Sequence, residues 1–178
     1  MYGRRPLLPG MTFTTAHPDA LNGMRNKDDK NEFKEQQDAE IMDAYRRLFR
    51  EYGGKVDVKA LYSMVSAAPA SRFFVSARQA YRVVLRLCNG EQITDMRLSN
   101  QRMYSEIYRR VCDMIDVSNC TASELRKAVA SIVRQPAPEM YVGVRQVSYI
   151  ISQEKRKCYE ERKRRSEEHT SELQSPGD

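Results

Sequence analysis

Arginine residues at helical spacing are the side chains in this sequence whose chemistry is easiest to name. Arg78, Arg82 and Arg86 follow one another at intervals of four positions, and Gln79 lies beside the first of them. On a helix this spacing forms a single polar ridge. Arginine and glutamine are the side chains that pair bidentately with guanine and adenine edges in the major groove of DNA. The ridge therefore predicts a helix that contacts nucleic acid.

The same residue types return later in the chain, where an arginine–glutamine pair at 145–146 precedes a basic run at 155–157. Clustered lysine and arginine side chains attract phosphates whatever the base sequence, and salt weakens that attraction. The predicted partner is therefore DNA or RNA. The residues predicted to bind it are Arg78, Gln79, Arg82, Arg86, Arg145, Gln146, Lys155, Arg156 and Lys157.

Catalytic chemistry has much less support in the sequence. A nucleophilic enzyme needs a base beside its serine, threonine or cysteine, and both histidines, His17 and His169, lie towards the ends of the chain. Asp113 and Asp116 have the three-residue spacing of many solvated acid pairs. The glycines form no phosphate-binding loop. We therefore predict no catalytic residues, no enzyme activity and no cofactor.

The cysteines do not have the spacing of a metal site. A structural zinc ion needs four converging ligands, usually in two close pairs. Cys88, Cys112, Cys120 and Cys158 include no C-x-x-C pair. We predict no metal site and expect these residues to be reduced, mostly structural thiols.

The helices that would carry the basic residues recur twice along the chain. An apolar stripe from Ile41 to Tyr52 has the spacing of one helix face, and a stripe from Tyr104 to Ile115 matches it at an offset of 63 residues. Later segments match at offsets of 67 to 68 residues. Because polar residues and prolines match as well as apolar ones, we predict an internal duplication. The matching pairs are Arg46-Arg47 with Arg109-Arg110, Pro69-Ala70 with Pro136-Ala137, and Arg78-Gln79 with Arg145-Gln146.

The duplication predicts a mainly α fold of two tandem three-helix units. Each unit is helix-turn-helix-like, because its third helix follows a short second helix, although the connection exceeds the usual turn. The predicted segments are a flexible N-terminal arm at 1–37, repeat unit 1 at 38–90, a linker at 91–100, repeat unit 2 at 101–157, a basic extension at 158–164 and a non-native tail at 165–178.

Local signals predict how the helices begin, end and connect. Gly53-Gly54 would end the first helix in a left-handed cap, Ser76 would cap the third helix, and Thr121 with Glu124 would form a capping box. The link Arg72–Val75, matched by Glu139–Val142, has strand-like composition. It is either a short strand that pairs with its copy across a pseudo-twofold axis or a buried connector that fixes the third helix. We favour the connector.

The end of the chain changes the charge argument. Residues 165–175 resemble the translation of a sequencing-library adapter, so we expect the segment from 165 onwards to be non-native. Removing its net charge of −3 from the +6 of the whole chain leaves +9. No apolar run approaches the length of a transmembrane helix, so we expect a cytoplasmic protein without a membrane partner. The oligomeric state is not predicted.

Four segments of the chain carry a resemblance to a known family: 45–47, 71–76, 103–111 and 135–138. Over roughly residues 40–157 the sequence resembles an uncharacterised family of small, basic, helical bacterial proteins from phage and mobile-element neighbourhoods. The resemblance implies a bacterial cytosolic origin. It implies no activity and no site residues.

These observations predict a non-enzymatic nucleic-acid-binding protein that acts as a regulator or accessory factor of a phage or mobile element. The first copy is the better candidate, because Arg82 and Arg86 correspond to Tyr149 and Gln153 in the second. The alternative is a helical protein–protein interaction adaptor or structural protein. It would expose an apolar groove lined by Tyr81 and Tyr149.

Overall fold

A computed structural model describes residues 33–172, with side chains described through residue 167. Over this range the chain forms helices and connecting loops, and no β-strand. The predicted mainly α fold is confirmed. The helices are α1 (Lys34–Tyr52), α2 (Val58–Ser66), α3 (Ala77–Cys88), α4 (Leu98–Met114), α5 (Ala122–Ile132) and α6 (Val144–Glu172).

Two predicted helix caps are confirmed. The side chain of Ser76 accepts a hydrogen bond from the backbone N–H of Gln79 at the start of α3. Thr121 and Glu124 form both hydrogen bonds of a capping box at the start of α5. These bonds satisfy backbone N–H groups that have no partner within the helix. The sequence therefore defines where both helices begin.

The boundary of the predicted N-terminal arm needs a correction. Helix α1 begins at Lys34, so the last residues of the segment 1–37 are helical. The backbone N–H of Gln37 donates to the carbonyl oxygen of Phe33, and Glu35 lies in the first turn, where a carboxylate interacts favourably with the helix dipole. Polar helix-forming residues thus extend α1 ahead of its apolar stripe. Residues 1–32 of the arm lie outside the described residues.

The two glycines after α1 end the helix as predicted, and only the second of them is left-handed. Gly53 has an ordinary φ of −57°, and a Cβ at this position would lie 2.3 Å from the carbonyl oxygen of Phe49. Gly54 takes the left-handed conformation, with φ of +79°. Only glycine adopts that conformation without a steric penalty. Position 53 therefore requires glycine, because the backbone there passes close to the carbonyl oxygen of Phe49. Gly54 reverses the direction of the chain after the helix.

Each third helix packs against the first two helices of the other predicted copy. Helices α1 and α2 pack on each other and on α6, whereas α4 and α5 pack on each other and on α3. Among the described helices, α3 has no comparable contact with α1 or α2, and α6 has none with α4 or α5. The two spatial clusters are therefore α1–α2–α6 and α4–α5–α3.

This exchange differs from the predicted helix-turn-helix-like unit, in which α2 and α3 would pack together. The residues between them, 67–76, form link 1, and the residues between α5 and α6, 133–143, form link 2. Ala68, Ala70, Phe73 and Val75 of link 1 are buried. Link 1 buries its apolar side chains in the core, and α3, which follows it, packs against α4 and α5. The duplication itself stays a prediction.

The two links meet between the clusters. Ala70 and Ala137 form an isolated antiparallel bridge, in which the N–H of each residue donates to the carbonyl oxygen of the other at 3.0 Å. Phe73 and Tyr141 stack with ring centroids 6.0 Å apart. The links are thus buried connectors, as favoured from the sequence. The pairing between them is confined to one residue pair that precedes the segment Arg72–Val75.

One hydrophobic core joins the two clusters. Buried residues from α1 to α6 and from both links form a single contiguous set. Phe73, Ile107 and Ile151 are among its fully enclosed side chains. None of the described helices is both long and apolar enough to cross a membrane.

Candidate nucleic-acid interface

Helix α3 presents part of the predicted ridge to solvent. Ala80, Val83 and Val84 form its buried face. Arg78 and Arg82 are exposed, and neither has a carboxylate partner among the described residues. Both guanidinium groups therefore keep their hydrogen-bonding capacity for a ligand.

Arg86, the third member of the ridge, is half-buried and occupied. Its guanidinium donates to Glu91 (Nε to Oε2, 3.0 Å), to Asp95 (Nη2 to Oδ1, 3.3 Å) and to the carbonyl oxygen of Gln92 (3.3 Å). The hydrogen bond from Arg86 lowers the pKa of Asp95 below its usual value. Arg86 therefore fastens the loop between α3 and α4 and does not extend the exposed ridge.

Gln79 also contacts the protein. It is exposed, and its side chain lies near the hydroxyl of Tyr104 on α4. Burial raises the pKa of Tyr104, and the nearby Gln79 side chain opposes the increase. Gln79 therefore lies at the contact of α3 with α4.

Helix α6 carries the second predicted pair on its first turn. Arg145 and Gln146 are exposed, and Arg145 has no carboxylate partner among the described residues. Tyr149, at the position equivalent to Arg82, is 60% exposed. The first turn of α6 thus presents one unpaired arginine, whereas α3 presents two.

The basic run at 155–157 is exposed but not unpaired. The Nζ of Lys155 donates to the Tyr45 hydroxyl at 2.8 Å and lies 4.8 Å from the centroid of its ring. Arg156 pairs with Glu160 at 2.8 Å, and Lys157 pairs with Glu154 at 2.5 Å. These three residues therefore interact with α1 or within α6, and they are weaker candidates than Arg78, Arg82 and Arg145.

One basic residue was missed by the sequence reasoning. The guanidinium carbon of Arg126, on α5, lies 5.0 Å from the ring centroid of Tyr81 on α3. Tyr81 borders the exposed ridge on the side of Arg78, so Arg126 extends the positive charge from α3 onto α5. We call Arg78, Arg82 and Arg126 the α3/α5 basic face. Helical spacing identifies residues that share a face of one helix. Arg126 lies beside Tyr81 because α3 packs on α5, and spacing does not predict that packing.

The same packing corrects the apolar groove of the alternative hypothesis. Tyr81 is half-buried beneath Arg126, whereas Tyr149 lies on α6 in the other cluster. Because α3 and α6 do not pack together, the described residues place these two tyrosines in no common groove.

Acidic residues are distributed unevenly along the chain. The segment 58–90, which spans α2, link 1 and α3, contains no aspartate or glutamate and five lysine or arginine residues. The segment 125–157, which is equivalent at the offset of 67 residues, contains two acids: Glu139, which pairs with Arg102 at 2.7 Å, and Glu154, which pairs with Lys157 at 2.5 Å. The positive charge is therefore least compensated on α2 and α3.

The cysteines are free thiols in this fold. Burial raises the pKa of the Cys88 thiol to about 11, and burial also raises the pKa values of Cys112 and Cys120. Thiols with raised pKa values are poor nucleophiles at neutral pH. Over residues 33–172 no group of three or more histidine, cysteine, aspartate or glutamate side chains is arranged to hold a metal ion.

Comparisons of the chain with protein-family models, with curated proteins and with solved structures find no match. The resemblance to a bacterial family therefore stays a prediction.

Proposed function

We propose that this chain is a non-enzymatic nucleic-acid-binding protein that contacts its ligand mainly through the α3/α5 basic face and through Arg145. The observation that carries the proposal is that α3 exposes two arginines and contains no acidic residue. Arg78, Arg82 and Arg145 have no carboxylate partner among the described residues, whereas others, such as Arg46 and Arg109, have one. A role as regulator or accessory factor of a phage or mobile element is part of the same proposal.

Unpaired arginines suit a polyanion for a physical reason. An arginine already bound to a carboxylate must give up that contact before it can bind a phosphate, and its charge is largely cancelled at a distance. An unpaired arginine offers its whole fork of N–H donors and an uncompensated charge. Helix α3 contains no acidic residue, so repulsion of phosphate by its own side chains is absent.

A salt titration tests the proposal. Binding to a labelled duplex about two helical turns long is measured by fluorescence anisotropy between about 50 and 200 mM salt. Arg78→Ala combined with Arg82→Ala should weaken binding and reduce the slope of log K against log salt by about 2, since each lost phosphate contact contributes ~0.9.

The matched control is Arg46→Ala, which removes an exposed arginine that pairs with Asp43 at 3.0 Å. This variant should retain the affinity and the salt slope of the original chain. Each protein is also prepared ending at Arg164, because the four acids after that position would repel phosphate. Absence of binding at low salt, or equal losses in the control and the double variant, would overturn the proposal.

A second candidate function is a helical protein–protein adaptor, favoured by the aromatic residues near the contact of α1 and α2. Phe49 is 53% exposed, and its ring centroid lies 5.6 Å from that of Tyr45. The ring centroid of Tyr62, on α2, lies 6.2 Å from the ring centroid of Tyr45. Exposed aromatic side chains are typical of protein interfaces. Phe49→Ser should abolish capture of a partner protein and leave nucleic-acid binding unchanged, if both surfaces are used.

A further inference from the structure

The bridge between the links defines a local twofold axis. In an antiparallel pair, the twofold axis perpendicular to the strands exchanges the two directly opposed residues. Ala70 and Ala137 are opposed in this way, and they are also equivalent positions of the predicted repeat, 67 residues apart. The axis that relates the two backbones at this point therefore also relates equivalent residues of the two copies.

Hydrogen bonds beside the bridge tie each link to the other copy, through one backbone donor in a link and one side-chain donor at a helix end. The Phe73 N–H of link 1 donates to the carbonyl oxygen of Val133 at the end of α5, at 3.2 Å. The Ser66 hydroxyl at the end of α2 donates to the carbonyl oxygen of Val142 in link 2, at 2.5 Å. Each link is thus held by the end of the other copy's second helix.

The packing of the helices extends this symmetry to the whole body. Exchange of α1, α2 and α3 with α4, α5 and α6 converts each observed interface into another observed one. The interface of α1 with α2 corresponds to that of α4 with α5. The interface of α3 with α5 corresponds to that of α6 with α2, and that of α3 with α4 to that of α6 with α1.

Twofold symmetry determines how the exposed arginines are presented. Positions related by such an axis lie at the same height along it and on opposite sides of it. Arg78 and Arg145 are equivalent and exposed, so they lie at the same height along the axis, and a ligand that lies across the axis at that height meets both. The helices that carry them have reversed directions relative to that ligand. Two tandem units related by a translation would instead present both helices in the same direction.

We infer that the nucleic acid recognised by this chain is duplex DNA carrying an imperfect inverted repeat, an inference that rests on the proposed function. DNA has twofold axes of its own, and a twofold protein aligned with one of them contacts two half-sites in opposite orientations. The half-sites differ because Arg82 faces one of them and Tyr149 the other.

The length of the links limits the spacing of the half-sites. Arg78 is eight residues from Ala70, and Arg145 is eight residues from Ala137. Even a fully extended chain spans at most ~3.4 Å per residue, so the two Cα atoms lie no more than about 60 Å apart. Two helical turns of DNA measure about 70 Å. The half-site centres are therefore less than two helical turns apart, and half-sites on the same face of the duplex are about one turn apart.

Selection from a random pool tests the inference with the full chain. A duplex pool with a randomised core is enriched on the immobilised protein at low and at moderate salt, and the retained sequences are compared with the starting pool. We expect an imperfect inverted repeat with half-site centres about ten base pairs apart. The enriched half-site is then rebuilt in inverted, direct and single form, and we expect the inverted form to bind at least ten times more tightly.

The outcomes separate the inference from the proposed function. Enrichment of direct repeats, of single half-sites or of no sequence at all overturns the inverted-repeat inference and leaves nucleic-acid binding intact. A preference for single-stranded RNA over the duplex pool has the same consequence. Failure to retain any nucleic acid at low salt overturns the proposed function and the inference with it.

A footprint of two variants provides an independent readout. Hydroxyl-radical protection of the selected duplex should be lost on one side of the dyad with Arg78→Ala and on the other side with Arg145→Ala. Arg46→Ala, the paired arginine on α1, should leave both sides protected. Equal loss on both sides with either variant would contradict the twofold arrangement, and circular dichroism establishes that each variant is folded.

Discussion

Helices α3 and α6 occupy equivalent places in the two clusters and differ in what they expose. Val83 and Val84 are buried on α3, and the equivalent Ile150 and Ile151 are buried on α6. On the solvent side, Arg82 of α3 corresponds to the exposed Tyr149 of α6. The shared interior fixes where each helix lies, whereas the exposed surface has no such constraint. Any ligand that spans both helices therefore meets two unequal surfaces.

The largest effect is expected from the centre on which both helices depend. Phe73 is fully buried in link 1 and stacks on Tyr141 of link 2. Phe73→Ala should lower the free energy of unfolding by about 3–5 kcal/mol, because it leaves a cavity. Because α3 and α6 both depend on this centre, urea denaturation of Phe73→Ala, monitored by circular dichroism, should show one unfolding transition for both clusters.

The control for this prediction is Phe49→Ala. Phe49 is 53% exposed, so its removal should change the free energy of unfolding by less than about 1 kcal/mol. Two separate transitions for Phe73→Ala would show that the clusters fold independently and would contradict the common centre.

An intermediate effect is expected where link 2 is tied to α4. Glu106 accepts hydrogen bonds from Arg109 and Arg110, each at 2.8 Å, and Arg110 donates to the carbonyl oxygen of Pro136 at 2.9 Å. The hydrogen bond from Arg109, followed by that from Arg110, lowers the pKa of Glu106 from 4.5 to about 2. Glu106→Gln should therefore destabilise the fold by about 1.5–3 kcal/mol at neutral pH.

The pH dependence of this effect has a defined sign. A group whose pKa is lowered by folding stabilises the protein above its unfolded pKa and loses that contribution as pH falls through the folded pKa. The difference between the original chain and Glu106→Gln should therefore shrink from about pH 4.5 down to about pH 2. Asp43→Asn is the matched control, because the equivalent Asp43–Arg46 pair is exposed and should contribute less than ~1 kcal/mol. Equal effects of the two variants would contradict the prediction.

The smallest effect is expected from making α6 resemble α3. Tyr149→Arg restores the arginine that Arg82 provides in the first copy. It should raise duplex affinity a few-fold at low salt and steepen the salt slope by about 1, since one phosphate contact is added. Tyr159→Arg places the same charge at another exposed tyrosine of α6 and should have less effect. Equal gains at both positions would show that net charge matters and the position on the third helix does not.

The sequence predicted the helices well because their signals are local. The apolar stripe of α1, the Ser76 cap and the Thr121–Glu124 capping box each depend on residues within a few turns. Such signals state which face of a helix is buried. They do not state which helix covers it, so the exchange of α3 and α6 was not predicted.

The candidate site was predicted in part for the same reason. Arg78, Arg82 and Arg145 lie on the solvent face of their helices, as the spacing indicated. The occupation of Arg86 depends on how the following loop folds back to bring Glu91 and Asp95 within reach. The contact of Arg126 with Tyr81 depends on the packing of α3 on α5. Neither relation has a signature in residue spacing.

The exchange of the third helices also has a consequence during synthesis. Helices α1 and α2 need α6 to cover their apolar faces, and the core residue Ile151 of α6 is made long after Ser66 ends α2. At ribosomal rates of about 5–20 residues per second, that interval is on the order of ten seconds. The first half of the nascent chain therefore waits with uncovered apolar surface, which makes it a natural client for a chaperone that binds emerging chains.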